Sequence, residues 1–260
     1  MERKKKSAGK SKKTRRRRRI IRAWTARILF CAVLLLLLCT ALQGVFLVGR
    51  VFQKEEPVFI GASRILPGAA SSDSPTIVVD AGHGGKDQGT NSGDILEKDV
   101  NLAVAEFLAE DLEKAGAQVI MTRTADTYIG LEERAELAND AGADLFISVH
   151  CNYCEDDASV QGLECYYSKD SAGGQILAET IAGQMETIDQ TVSRGARTAD
   201  YRVLLRTKMP AVLIELGYFS NSSECGKLAA SEYQSLLAEN IAEAVMDEKT
   251  IAAAVTDTPQ

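Results

Sequence analysis

From Thr76 onward, short apolar runs alternate with helical periods, and this alternation constrains the fold more than any other feature of the sequence. TIVVD (Thr76–Asp80), QVIMT (Gln118–Thr122), DLFISVH (Asp144–His150) and AVLIELG (Ala211–Gly217) are rich in Val and Ile. They are apolar almost throughout, as strands covered on both faces must be. Between the first two, EKDVNLAVAEFLAEDLEKAG places Val100, Val104, Phe107, Leu108 and Leu112 at near-helical spacing and stops at Gly116. LEERAELAND reads as a second helix, GLECYYS (Gly162–Ser168) as a fourth strand, and about Gly173 to Ile188 as a third helix. A short strand is expected near Val203–Leu205, and SEYQSLLAENIAEAVM (Ser231–Met246) closes the series as an amphipathic helix. Strands alternating with helices imply an α/β domain of three layers, with a largely parallel, twisted sheet flanked by helices. In such sheets, functional groups collect beyond the carboxyl ends of the strands.

Charge divides the rest of the chain. Met1–Arg27 holds 14 Lys and Arg against the single acid Glu2, whereas Val51–Gln260 holds 15 basic against 35 acidic residues, a balance of −20. Between them, Ile28–Val48 runs 21 residues without a formal charge. That matches the ~20 apolar residues needed to cross a bilayer, and exceeds the ~7–15 of a signal-peptide core. The expectation is a basic cytoplasmic tail (1–27), one N-terminal transmembrane helix (28–48), a juxtamembrane linker (49–74), a catalytic domain (75–248) and a C-terminal tail (249–260). Basic residues stay on the cytoplasmic side, where the tail meets anionic lipid, so the acidic domain faces outside the cell. Secretion after cleavage is the alternative localisation. The acidity of the domain excludes nucleic acid as its partner, because phosphate contacts need clustered positive charge.

The domain contains two histidines, and each falls at the end of an expected strand. His83 lies in the glycine-rich AGHGG, and His150 ends LFISVH. A lone histidine there reads as a polar cap; two at the same end of one sheet read equally well as metal ligands. Glu215 sits inside PAVLIELGYF, where burial demands a salt bridge, a metal or a general-base role. Glu97 by itself reads as the far end of a capping box opened by Asp94. AGHGGKDQGT does not fit a phosphate-binding loop, and no G-x-S-x-G elbow is present. The residues alone thus point to an extracytoplasmic metal hydrolase and leave the substrate open.

The ordered series IVVDAGHGGKDQGT, LEKDVNLAVA, ADLFISVHCN and PAVLIELGYFSN resembles the zinc-dependent N-acetylmuramoyl-L-alanine amidases of the type 3 family. The likeness spans about Thr76 to Met246. MTRTADTYIGLEERAELAN and GLECYYS also match its intervening segments. The resemblance implies one Zn²⁺ bound by His83, Glu97 and His150, with Glu215 as catalytic acid/base and peptidoglycan as substrate. It makes Glu97 a ligand rather than a cap. A peptidase cutting elsewhere in the stem peptide is the rival enzyme, and a wall-binding protein that has kept the fold is the non-catalytic rival. Asp80 is read either as orienting a ligand histidine or as capping a strand end. Arg194 and Arg206 are candidates for substrate carboxylates, with surface solvation as the alternative.

Two departures stand out. Cys151 replaces the small residue expected after His150, so its thiol is either inert or a point of oxidation. The stretch between Asn152 and Gly162 is short, which implies that no helical plug covers the site. Cys151, Cys154, Cys165 and Cys225 would face an oxidising compartment, but their spacing does not choose between free thiols and bridges. Protein partners are not indicated.

Overall fold

The computed structural model describes residues 58–60, 63–65, 74–189 and 191–256, all within the unit Pro57–Gln260. The expected membrane span and basic tail lie outside the described residues. No helix among the described residues is long and apolar enough to cross a membrane.

Among the described residues there are ten strands: β1 (Val58–Ile60), β2 (Ser63–Ile65), β3 (Thr76–Ala81), β4 (Asn91–Ser92), β5 (Ile95–Leu96), β6 (Gln118–Met121), β7 (Leu145–Asn152), β8 (Leu163–Tyr167), β9 (Ser193–Thr198) and β10 (Ala211–Tyr218). Seven helices accompany them: α1 (Glu97–Lys114), α2 (Leu131–Asp140), α3 (Ala172–Met185), α4 (Arg202–Arg206), α5 (Ser222–Leu228), α6 (Ser231–Met246) and α7 (Glu248–Thr256). Eight of the strands form one sheet in the order β1-β2-β6-β3-β7-β10-β8-β9, and β4 pairs with β5 in a separate hairpin.

The central strands β6, β3, β7 and β10 are parallel, as expected. Within this sheet, antiparallel pairing is confined to strands nearer the edges. β8 lies antiparallel to β10, and β2 antiparallel to β6. β1 and β2 fall inside the segment read as a linker, and α7 inside the one read as a C-terminal tail. Around Val203–Leu205 the chain forms α4 rather than a strand, because Val203 and Leu204 are buried side by side beneath it. The polar sequence SRGART gave no apolar alternation, yet it forms β9 by parallel pairing with β8.

Alternation along the buried strands sorts side chains between the two layers. Ile77, Val79, Ala81, Leu145, Ile147, Val149, Val212 and Ile214 face the larger core with residues of α1, α3 and α6. Val78, Phe146, Ala211 and Leu213 face the smaller core with Ala138 of α2 and Val203 of α4. By the same parity Asp80, Ser148, His150 and Glu215 point to the thinner layer. α1 buries Val100, Val104, Leu108 and Leu112, spaced four apart, against the sheet. Its end is closed by Gly116 N–H donating to Glu113 O and Ala117 N–H to Leu112 O, both at 3.0 Å, with Gly116 at φ 100°. Three layers around a mostly parallel sheet therefore stand, and the carboxyl ends of β3 and β7 bring the two histidines together.

Candidate metal centre

His83, Glu97 and His150 meet on a single oxygen. Glu97 Oε1 lies 3.1 Å from His83 Nε2 and 3.1 Å from His150 Nδ1. One donor atom from each residue can be chosen so that all three lie within 4.8 Å of one another. The two rings stand edge to face, their centroids 4.9 Å apart. Tetrahedral zinc with bonds of ~2.0–2.1 Å holds its ligand atoms roughly 3.3 Å apart, close to both measured contacts. Two imidazoles and one carboxylate are also a recurrent catalytic zinc set. The donor set fits the ion that the sequence implied.

Each ligand is placed by its element. β7 runs on to Asn152, so His150 lies within the strand rather than at its end. In the parallel pairing with β10 it sits directly beside Glu215. Glu97 is the first residue of α1, whose N-cap is Leu96 and not Asp94. The capping-box reading is thereby corrected. The β4–β5 hairpin returns the chain so that Glu97 N–H donates to Thr90 O at 2.9 Å, while its Oε2 accepts from Thr90 N–H at 2.7 Å. Oε1 also accepts from Asn101 Nδ2 at 3.2 Å and from the Cys151 N–H at 3.1 Å.

His83 occupies a left-handed backbone position, φ 60°, that few side chains adopt. Two buried arginines hold it there. Arg134 donates to Asp80 Oδ1, Ala81 O and His83 O at 2.6–2.7 Å. Arg123 donates to Ala81 O and Gly82 O, each at 2.9 Å. Asp80 therefore acts through Arg134 on the backbone rather than on a histidine ring. Its carboxylate also accepts from Thr122 Oγ1 and Ser148 Oγ, both at 2.7 Å. The acid beside the His83 ring is Asp87, with Oδ2 2.9 Å from Nδ1. Sequence reasoning missed Asp87, although its place four residues after His83 in the same loop was a usable signal.

Two glycines make room. A Cβ on Gly82 would stand 2.3–2.7 Å from the His150 ring, and one on Gly89 would stand 2.4 Å from Glu97 Oε2 and 2.8 Å from His83 Cδ2. Gly89 also has φ +67°. The glycine-rich loop thus packs against the ligands with no space for a methyl group.

Electrostatics differ sharply among the acids. Burial raises the proton affinity of Glu97, but the His150 and His83 rings outweigh it and hold the carboxyl well below the usual range. Burial likewise opposes protonation of His83, yet Glu97 and Asp87 prevail and hold it at about 9. Glu215 goes the other way. Burial, reinforced by the Glu97 charge, raises it to about 7 against the pull of His150 and His83. Its Oε2 is buried without a hydrogen-bond partner. Cys151 is buried, and desolvation with the nearby Glu97 charge pushes its thiol well above the ordinary range, the direction of an unreactive thiol. Cys151, Cys154, Cys165 and Cys225 are all free.

The centre opens into a cleft of about 560 Å³ lined by His83, Glu97, His150 and Glu215, with Tyr128, Tyr153 and Tyr201 among its walls. Tyr128 and Tyr153 are exposed. The stretch from Tyr153 to Gly162 contains no helix, as expected. Neither Arg194 nor Arg206 lines the cleft. Arg194 Nε instead donates to buried Glu164 at 2.6 Å.

Comparison with known proteins settles the family. Residues 77–247 match the model of the N-acetylmuramoyl-L-alanine amidase family. The chain belongs to it. It is 38% identical over 168 residues to the N-acetylmuramoyl-L-alanine amidase LytC of Bacillus subtilis (strain 168), covering 64% of this chain and 34% of LytC. It is 40% identical over 171 residues to YqiI of the same organism, covering 65% of this chain and 82% of YqiI. The solved N-acetylmuramoyl-L-alanine amidase of Clostridium difficile 630 superposes with a TM-score of 0.65 at 38% identity, over 67% of this chain and 96% of that one. The matched region corresponds to only about a third of LytC, whereas it spans nearly all of the solved enzyme. This family member is an amidase, and its bond is that between N-acetylmuramic acid and L-alanine in peptidoglycan.

Two outcomes follow from this geometry. Gly82→Ala forces the His150 ring aside, so the purified variant is expected to hold less than a tenth of the wild-type metal while keeping its far-ultraviolet circular dichroism. Asp80 is held below its ordinary value, because Arg134 and the Ser148 and Thr122 hydroxyls outweigh burial. A depressed carboxyl contributes stability above the unfolded value of ~3.9 and loses it as pH falls through the folded value. Asp80→Asn leaves Arg134 buried without its counter-charge, which costs about 3 kcal/mol at pH 7. Urea unfolding at pH 7 and pH 3 should show the gap between variant and wild type narrowing in acid.

Proposed function

We propose that His83, Glu97 and His150 hold a catalytic zinc and that Glu215 is the general acid/base of amide hydrolysis. The observation that carries this reading is the pairing, side by side on β7 and β10, of His150 with a buried carboxyl raised to about 7, one oxygen of which has no hydrogen-bond partner. A proton affinity near neutrality suits a group that must both take and return a proton. A bound zinc would supply a Lewis acid, polarising the lactyl carbonyl and lowering the pKa of a water toward ~7.

The chain supplies the rest. Glu97 and the two imidazoles fix the donor atoms; Asp87 steadies His83 from its far nitrogen, and Asn101 steadies Glu97. Glu215 removes the proton of the attacking water and returns one to the departing alanine nitrogen. Its apolar surroundings on β10 keep bulk water from competing for that proton. The result is a glycan with a free lactyl carboxylate and a peptide with a free L-alanine amino group.

The same reading extends to place. The 21 uncharged residues of Ile28–Val48, between a basic tail and an acidic domain, support a single-pass anchor with the catalytic domain outside the membrane. An enzyme of the wall held there acts on the peptidoglycan within its reach, in remodelling, cell separation or spore-wall processing. The open cleft supports activity without removal of a plug.

The test follows new L-alanine amino termini released from purified peptidoglycan. Chelation is expected to stop release and zinc to restore it. Glu215→Gln should lower kcat by 10²-fold or more while binding one zinc per chain. A variant that retains wild-type kcat would exclude Glu215 from proton transfer, and release insensitive to metal removal would exclude zinc.

A further inference from the structure

The metal cleft is strongly acidic for a site that must accept an anionic polymer. Its lining carries the carboxyls of Asp80, Asp87, Glu97 and Glu215, and its cations other than histidine are Arg134 and Arg202. Arg134 is unavailable to a ligand. It is 2% exposed, and its Nε, Nη1 and Nη2 already donate to Ile129 O, Asp80 with Ala81 O, and His83 O. Arg202 is different. Its side chain is 48% exposed, and its recorded ionic partner is Glu132, itself 58% exposed, with Nε 3.2 Å from Oε1. A pair so open to water holds weakly and exchanges readily.

Arg202 is the first residue of α4, and Glu132 the second of α2, so the pair bridges the two helices of the thinner layer. That layer is the one toward which His150 and Glu215 point. Arg202 thus lines the same cleft as His150 and Glu215, and its guanidinium is held by an exchangeable partner. A planar fork of donors is well matched to a carboxylate.

We infer that Arg202 recognises a carboxylate of the stem peptide, the free α-carboxylate of the D-glutamate that follows L-alanine. This rests on the amidase reading of the same site. The assignment follows from reach. Once the muramyl–alanine amide lies at the metal, the next residue's α-carboxylate stands about 6 Å from the scissile nitrogen, one Cα–Cα step plus the two flanking bonds. One cleft has both the candidate ligands and Arg202 in its lining. Because the stem peptide continues through the γ-carboxyl, the α-carboxyl stays free, and walls in which it is amidated present a neutral carboxamide at that point. Arg202 thus makes the enzyme sensitive to whether its substrate is amidated, with Glu132 occupying the guanidinium until substrate arrives.

The experiment uses the full-length, zinc-loaded protein and two synthetic substrates, N-acetylmuramoyl-L-alanyl-γ-D-glutamyl-L-lysine amide with the glutamate α-carboxyl either free or amidated. The wild type is expected to prefer the free acid by about 10-fold in kcat/KM, carried in KM, as a charge-assisted hydrogen bond at a half-exposed site supplies. Arg202→Ala should bring that ratio to about one, and Arg202→Lys should recover part of it. Glu132→Gln should preserve or enlarge the preference, which a merely structural ion pair would not do. Lys86→Ala, removing the cation that stands 4.2 Å over the Tyr128 ring outside the lining, should leave it unchanged. Equal cleavage of both substrates by wild type, a preference surviving in Arg202→Ala, or its loss in Lys86→Ala would overturn the assignment while leaving the amidase intact. Failure of the zinc-loaded wild type to cleave either substrate would overturn the underlying reading instead.

Discussion

One oxygen atom organises the site: Glu97 Oε1, which faces both histidine rings at 3.1 Å. A buried carboxylate is costly unless opposed by positive charge, donors or metal. Here the opposition comes from two imidazoles, the Asn101 amide and the Cys151 backbone N–H. The fold has to deliver all of these to one point from three elements far apart in sequence. A loop after β3 brings His83, the first residue of α1 brings Glu97, and the last residues of β7 bring His150. A parallel sheet serves this purpose because the carboxyl ends of its strands lie side by side.

The price of that convergence is local strain and close packing. His83 sits in the left-handed region, and Gly82 and Gly89 leave no room for a side chain. Arg123 and Arg134 hold the strained loop through its carbonyls, and Asp80 neutralises Arg134 from the end of β3. These buried polar groups hold the loop that carries His83. They connect the stability of the domain to the geometry of its chemistry, so a substitution there is felt in both.

Much of this was legible in the sequence because burial on both faces leaves a clear mark. TIVVD, DLFISVH and AVLIELG gave the central strands nearly to the residue, and the four-residue spacing of Val100, Val104, Leu108 and Leu112 gave α1. His83, His150 and Glu215 stood out as polar residues in or beside those apolar runs. Glu97 did not, since an acid at a helix start is ordinarily a cap; only resemblance raised it to a ligand. The rest was hidden for physical reasons. β9 is polar and owes its form to pairing with β8, and α4 is too short for a period to show. Arg123 and Arg134 look like surface residues until tertiary packing encloses them, and Asp87, still half-exposed, is singled out only by its contact with the His83 ring. Arg202, on the cleft wall, was passed over for Arg194, which turns instead to the buried Glu164.

The most direct measurement is X-ray absorption at the zinc edge of the purified, metal-loaded protein, with the zinc content per chain determined on the same sample. The proposed centre predicts one zinc with nitrogen and oxygen neighbours at ~2.0–2.1 Å, including the multiple scattering of two imidazoles, and no sulfur. A sulfur shell at ~2.3 Å, which would bring the neighbouring Cys151 into the coordination sphere, or failure to bind zinc stoichiometrically, would contradict it.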